Sequence, residues 1–588
     1  MTDNRNMLTA IVLSALVLIG WSFLAPRFLP TATPPTTHIV DGEPLPQPTA
    51  SPGGSPATPA VAATKSRAEV LGSTPRVKIT TPSLTGSLNL KGARIDDLLL
   101  VRQRETIDPA SAPVRLFSPQ GAPHSYFASF GWLAGAGSPG IATPTADTPW
   151  QASSRLLSPG HPVTLSWTNP TGQKFEQIVA VDGGYLFTVT QKITNGGAGP
   201  VTLAPDGLVS RADPSRDMSS WTTHIGPVGV YDGAANYDVT FASLNGEGPS
   251  FFSRIFGSSA KVGTTSYQAN SAWLGFTDKY WLAALAPAGP APISASLRKG
   301  AGGYQADYAS ISVTLAPGQA ASSATRLFAG AKEKIWLDKY EAAGITKLTK
   351  SIDWGWFEWF MRPIFWLLSW LFHATSNFGV AIICLTLIVR TIMFPIADKS
   401  FRSMAAMRRV QPKMKTLQDR HKDDKPRLQQ EMLKLYQEEK VNPAGGCLPV
   451  LIQIPVFYAL YKVLMVSVEM RHQPFALWIK DLSAHDPMTP VNLFGLLHFT
   501  PPAMLAVGVL PIIMGVTMWM QFKLNPQQPD PVQQQIFSIM PVMMTVIMAP
   551  FAAGLLLYWC VSNILTILQQ KWLYHRYDLE RAPEPAKA

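Results

Sequence analysis

The sequence predicts a polytopic α-helical membrane protein of six transmembrane helices that carries a large antiparallel β-sandwich outside the bilayer. Three observations lead there. Apolar residues crowd into residues 7–24 and again beyond residue 360, in runs long enough to cross a bilayer as helices. Short alternating runs separated by Gly, Pro and Asn fill the stretch from about 75 to 330. Charged residues are only 15% of the 588-residue chain, well under the roughly 25% of ordinary soluble domains, and the mean hydropathy is +0.09.

Residues 7–24, MLTAIVLSALVLIGWSFL, lie between Arg5 and Arg27 and are long for a signal-peptide core. The following APRFLP has no small-x-small cleavage site, so residues 1–29 are expected to be an uncleaved anchor. Pro, Thr, Ala, Ser and Gly dominate 30–74, which reads as a linker with little to bury. The β-sandwich is expected over 75–350. KFEQIVAV and YLFTVTQKI, on either side of Asp182-Gly183-Gly184, read as a hairpin, and 331–350 as a helix closing the domain. The Trp- and Phe-rich segment 351–376, with Arg362 and His373, reads as a helix lying on the membrane surface.

The membrane core is expected over 377–570. Its first span starts near Asn377, and further spans lie at 447–466, 504–522, 536–549 and 555–568, the last two forming a tight hairpin that turns at PFAAG. Between the first two, 398–440 has helical spacing on each side of HKDDKP and reads as a helical hairpin. Its Met and Leu stripe has two readings, packing of one hairpin helix on the other or a docking surface for apolar clients. The same loop holds twelve Lys or Arg, which places it in the cytoplasm together with the basic tail 571–588. By parity both termini are then cytoplasmic, and the β-domain is external, in the periplasm of a cell with two membranes. Much of the net charge of +11 thus sits in one loop and suits phospholipid head groups and ribosomal RNA better than a nucleic-acid-binding domain. The three cysteines, Cys384, Cys447 and Cys560, fall in or beside apolar runs, too far apart for a zinc motif, and read as packing residues. No cofactor is expected: there is no GxxxxGK[ST] loop, and the GxGxxG at 135–140 contains Pro139 and precedes no helix.

Arg390 lies within ICLTLIVRTIMFPI, with no acidic residue in that span. An arginine at bilayer depth costs roughly 2.5–3.5 kcal/mol on insertion scales, so something polar must solvate it. Thr386 stands one turn before it, and Gln453, Tyr458, Tyr558, Ser562 and Asn563 supply polar groups from other spans, so that together they are expected to line one wet groove. Taken singly, the hydroxyl and amide groups also suit plain helix–helix hydrogen bonding. Lys462, near the outer end of its span, is expected to snorkel.

VRTIMFPIADKSFRSMAAMRRVQPKMKTLQ, EEKVNPAGGCLPVLIQIPVFYALYKVL, PFALWIKDLS and LLLYWCVSNILTILQQ occur in one order over about 350–578. In these motifs the chain resembles the YidC/Oxa/Alb family of membrane protein insertases, in the Gram-negative form with a large periplasmic domain. The resemblance implies an inner-membrane insertase and chaperone, not an enzyme, with five spans forming the core around a hydrophilic groove closed toward the periplasm. The family's groove arginine falls on Arg390. Client contacts fall on 447–466 and 555–568, where the family's Tyr-Tyr pair appears as Tyr558-Trp559, so a role for a phenol at 559 is not carried over. Implied partners are nascent membrane proteins, the Sec translocon, ribosome–nascent chain complexes and membrane lipids. The implied periplasmic domain resembles sugar mutarotases without their activity. Two other readings stand beside this one: a transporter or channel, and a periplasmic sugar-active enzyme using His124, His161 or His224 with Glu176. Against the transporter, the membrane half has no inverted repeat and no intramembrane acid.

Overall fold

A computed structural model describes residues 65–138, 140–217, 223–248, 263–289, 291–300, 302–355, 358–421, 424–439, 448–497, 506–524 and 531–576, with the two-residue strands Ile39–Val40 and Glu43–Pro44 before them. The anchor expected at 7–24, most of the linker, Cys447 and the tail beyond Arg576 lie outside the described residues. The chain divides into two units, Met1–Asp353 and Trp354–Ala588.

In the first unit the alternating runs become strands of two large sheets, nine- and eleven-stranded among the described residues. Leu186–Asn195 shows why: every second side chain is buried and the rest are partly exposed, the pattern of a strand with one face on a core. It pairs antiparallel with Gln173–Val181 on one side and Ala320–Ala331 on the other. The expected hairpin forms at Asp182, whose Oδ1 accepts the amides of Gly184 at 2.9 Å and Leu186 at 3.1 Å and so fixes the turn. In the second sheet Val201–Arg211 pairs with Tyr126–Ala134 and Gly303–Ser310.

The two sheets face each other. Trp132 of one packs edge-on against Phe175 of the other at 5.0 Å, and Gln191 Nε2 crosses to the carbonyl of Asp206 at 3.1 Å. Among the described residues one pairing, Arg76–Thr80 with Leu156–Leu157, is parallel and the others are antiparallel. The closing segment is a helix, Lys334–Ala342, followed by the 3-10 turn Leu348–Ser351. Lys332, just before it, is buried but donates to Thr277 Oγ1 at 2.9 Å and the Asp278 carbonyl at 2.7 Å, which satisfies its ammonium. At the other end Arg67–Gly72, which we label α1, is a short helix inside the stretch read as linker, with a capping box between Ser66 and Glu69.

The second unit is helical. After α1, and the short α2 (Phe241–Leu244) and α3 (Lys334–Ala342) of the first unit, come α4 (Glu358–Thr375), α5 (Phe378–Ile392), α6 (Phe394–Arg420), α7 (Lys425–Glu438), α8 (Leu448–Val466), α9 (Val509–Leu524), α10 (Pro531–Met548) and α11 (Ala553–Arg576). In α4 the exposed Trp359, Trp366 and Trp370, spaced seven and four apart, share one face, opposite the buried Met361, Phe365 and Leu368. Asn377 caps α5, its Oδ1 accepting the Val380 amide at 3.1 Å. The sequence continues apolar to Ala397, but α5 ends at Ile392, and the first turns of α6 run off at 63°. Pro395, which has no amide hydrogen to donate, sits where α6 begins.

α6 and α7 form the hairpin. Val410, Met414 and Leu435 are its core, joined by Met407, Leu417, Met432 and Tyr436, so the Met and Leu stripe is spent largely between the two helices. A turn at Ala549–Ala552 joins α10 to α11, but the tight hairpin expected there does not form: each of the two helices packs on α9, and they scarcely touch one another. Gly515 of α9 lets α10 approach closely, since a Cβ there would stand 2.0 Å from Thr545 Oγ1. Among the described residues only Ala553–Leu573 is long and apolar enough to cross a membrane unbroken. The bent pair Phe378–Ile392 and Phe394–Met404 passes the same test jointly, and Gln453–Val466, Val509–Leu524 and Gln534–Met548 are shorter apolar helices. Lys462 corrects the sequence reading: its side chain is fully buried within the unit instead of reaching outward.

Candidate functional site

α5, α8 and α11 supply the polar residues the sequence singled out. Arg390 stands in the last turn of α5, and its Nη2 donates to Ser562 Oγ at 2.5 Å and to the Ser562 carbonyl at 3.2 Å. Both acceptors are neutral and both belong to α11. Among the described residues no carboxylate forms an ion pair with Arg390. One turn before Ser562, Tyr558 is buried, lies within electrostatic reach of Arg390, and accepts a hydrogen bond from Gln453 Nε2 of α8. Gln453, Tyr558, Arg390 and Ser562 therefore form one polar chain across three helices.

The remaining expected residues divide differently. Thr386 is buried and donates to its own helix at Ile382 O, 2.7 Å away, so it closes the i−4 carbonyl instead of facing Arg390. Asn563 donates to Thr517 Oγ1 on α9 at 3.1 Å and ties α11 to α9. Trp559 packs edge-on against Phe457 of α8, with centroids 4.8 Å apart. The Tyr458 hydroxyl stands near Gly355, where a Cβ would lie 3.8 Å from it.

Sequence reasoning missed the extent of the polar stripe on α11. Tyr558, Ser562, Thr566 and Gln570 recur every fourth residue and are all buried, while Ile564, Leu568 and Trp572, also at intervals of four, are exposed. This helix keeps its polar face inside the protein and its apolar face outside, the reverse of a water-soluble helix. The period of four was present in the sequence. Its signal was masked because Thr566 and Gln570, read alone, look like ordinary interhelical packing and a helix end.

The residues of the sugar-enzyme reading are not gathered. His124 Nδ1 meets Asp213 Oδ2 at 2.7 Å near the surface, whereas His224 is partly buried and hydrogen-bonds the Pro227 carbonyl at 2.7 Å. Glu176 lies on a strand between Lys174 at 2.7 Å and Lys192 at 3.6 Å. Burial holds the His224 imidazole pKa below its usual value, which keeps the ring neutral. Among the described residues no group of three or more His, Cys, Asp or Glu is placed to hold a metal.

Comparison with known proteins covers both units. The family described as 60Kd inner membrane protein matches residues 370–581, and that described as YidC periplasmic domain matches 76–367. The membrane protein insertase YidC of Zymomonas mobilis subsp. mobilis is 45% identical over 98% of this chain and 96% of its own length. That of Methylorubrum extorquens is 42% identical over 98% and 95%. A crystal structure of an active YidC insertase with its first transmembrane domain resolved overlaps 84% of this chain and 92% of that one, at 17% identity and a TM-score of 0.34.

Proposed function

This chain belongs to the YidC family of membrane protein insertases, and from that premise we propose that it inserts and helps fold integral inner-membrane proteins through a hydrophilic intramembrane groove centred on Arg390. It does so alone or beside the Sec translocon, receiving ribosome-bound nascent chains. Its membrane part has six spans, counting the amino-terminal anchor, the bent α5–α6 pair, the three shorter apolar helices and α11. Both termini and the α6–α7 hairpin lie in the cytoplasm, and the β unit lies in the periplasm.

The observation that carries the mechanism is Arg390 held by a hydroxyl and a carbonyl of Ser562 with no counter-ion among the described residues. Neutral acceptors satisfy the N–H groups but leave the positive charge uncompensated, so its field extends into the groove. Water in the groove and the acidic or polar outer tail of a client are the natural complements of that charge. The guanidinium lowers the desolvation cost of the tail as it starts across, and the client's apolar helix then slides into lipid. No bond is made or broken, and no nucleotide is consumed.

Replacement of Arg390 by Ala, and separately by Lys, tests this, with insertion of a single-span client into proteoliposomes as the readout. The Ala variant is expected to lose insertion and the Lys variant to keep part of it. Unchanged insertion of several clients by both variants rejects the electrostatic role.

A further inference from the structure

The external loop between α8 and α9 ends in an apolar tip with the properties of a segment that sits in lipid. From Pro487 to Leu497 there is no charged residue. Leu493, Phe494, Leu496 and Leu497 are all exposed, Phe494 to 53% and Leu496 to 77%. A water-facing loop has no reason to present four large apolar side chains together.

Its backbone is also organised as lipid contact demands. Seven of its amides donate within the loop: Met488 and Thr489 to Asp486 Oδ1 and Asn492 Oδ1 at 3.0 and 3.2 Å, Asn492 to Thr489 Oγ1 at 3.2 Å, Leu493 to Pro490 O at 3.1 Å, Phe494 to Thr489 O at 2.8 Å, Leu496 to Leu493 O at 3.3 Å and Leu497 to Asn492 O at 3.1 Å. A loop bathed in water can leave such groups to solvent, but one facing acyl chains cannot. Leu493 and Phe494 hold φ values of +49° and +58°, a conformation side-chain-bearing residues rarely adopt, which turns their side chains out on a closed backbone.

The base is fixed by buried Asp486, whose Oδ1 accepts Trp478 Nε1 at 3.1 Å and whose Oδ2 accepts the first-turn amide of Leu510 at 2.7 Å. The charged residues of this loop, Glu469, Arg471, Lys480, Asp481 and Asp486, all precede the tip. That order suits a belt in the head groups below an apolar point.

We infer that the tip Val491–Leu497 is a lipid anchor that dips into the acyl boundary of the outer leaflet and fixes the depth of α8 and α9. The occupant is the acyl layer because the tip is uncharged and internally hydrogen-bonded, and the sequence has no Asp, Glu, Lys or Arg between it and α9. The inference rests on the membrane placement proposed above.

The test uses the full chain, with its three cysteines replaced, in nanodiscs of phosphatidylethanolamine and phosphatidylglycerol. An environment-sensitive NBD probe is placed at Leu496→Cys and, as a reference on the exposed face of α10, at Val542→Cys. The probe at 496 is expected to emit at lipid-like wavelengths, to be quenched by lipids brominated at shallow acyl carbons, and to be shielded from iodide. Iodide quenching at 496 with a lipid-like signal at 542 overturns the anchor and leaves the membrane placement standing, whereas water-like signals at both positions overturn the placement itself. A lipid-like emission at 496 that brominated lipid does not quench means that a client or a second copy covers the tip, and likewise overturns the anchor. Leu493→Ser with Leu496→Ser is expected to lower insertion of a single-span client roughly threefold, a change of under ~1 kcal/mol.

Discussion

Arginines wholly or partly buried in the two units are satisfied by opposite means. In the β unit Arg76 meets Asp96, and Arg211 meets Asp278 at 3.0 Å with its guanidinium near the rings of Tyr126, Phe241 and Phe276. In the helical unit Arg390 meets Ser562 alone, through a hydroxyl and a carbonyl. A carboxylate cancels a cation's field as well as its hydrogen-bonding demand, whereas a hydroxyl meets only the second. The first arrangement holds a scaffold together. The second keeps a charge available to something that arrives later.

The contrast is open to direct attack. Asp278→Ala strands Arg211 in a desolvated site and is expected to cost the β unit about 3–5 kcal/mol, read by denaturant unfolding of the purified protein. Arg390→Met is expected to do the opposite, leaving stability within about 1 kcal/mol of the parent because no paired partner is stranded, while insertion falls roughly tenfold or more. If the two variants destabilise equally, the distinction between scaffold and available charge is lost.

A second probe is pH. Asp206 and Asp307 lie on neighbouring strands, and burial pushes both carboxyls up from 3.8 to about 7, Asp206 being raised further by the charge of Asp307. A carboxyl raised on folding binds extra protons in the folded state, so its stabilisation is complete below about pH 4 and is lost as pH rises through about 7. Unfolding between about pH 4 and pH 7 should show the β unit weakening as pH rises, and Asp206→Asn should flatten that slope. The smallest effect is expected from Ser562→Ala, which removes one of the two acceptors of Arg390. Insertion should fall about two- to fivefold, corresponding to a net hydrogen bond of roughly 0.5–1 kcal/mol. An unchanged rate means that the carbonyl at 3.2 Å suffices.

Much of this architecture was legible where local chemistry and tertiary packing agree. Alternation marked Leu186–Asn195, Asp182 marked its turn, Asn377 marked the start of α5, and the PFAAG run marked the turn from α10 to α11, though not how those helices pack. The break after Ile392 was not legible, because the run remains apolar through Ala397 and hydropathy has no term for direction. α1 was hidden for the converse reason: its Ser66–Glu69 capping box is a clear local signal inside a composition that reads as linker.

In the candidate site, residue type revealed Arg390 but not how its neighbours are used. Thr386 shares its face yet bonds its own helix, while Ser562, on another helix 172 residues later in the chain, holds the guanidinium. Lys462 shows the same limit, since position near a span's end suggested an outward reach and packing among its neighbours buried it. Which partner a polar group finds is a property of helix rotation and contact, and one sequence does not encode it locally.

The 63° break after Ile392 has an electrostatic consequence for the arginine two residues before it. A helix that ends concentrates the partial negative charge of its last peptide units, equivalent to about half an electron, within its final turn. Had α5 run on straight, that charge would have been displaced to the far end of α6. By ending at Ile392, α5 places its carbonyl pole beside its own cation, and backbone dipoles do part of the work that acidic side chains do elsewhere in the molecule.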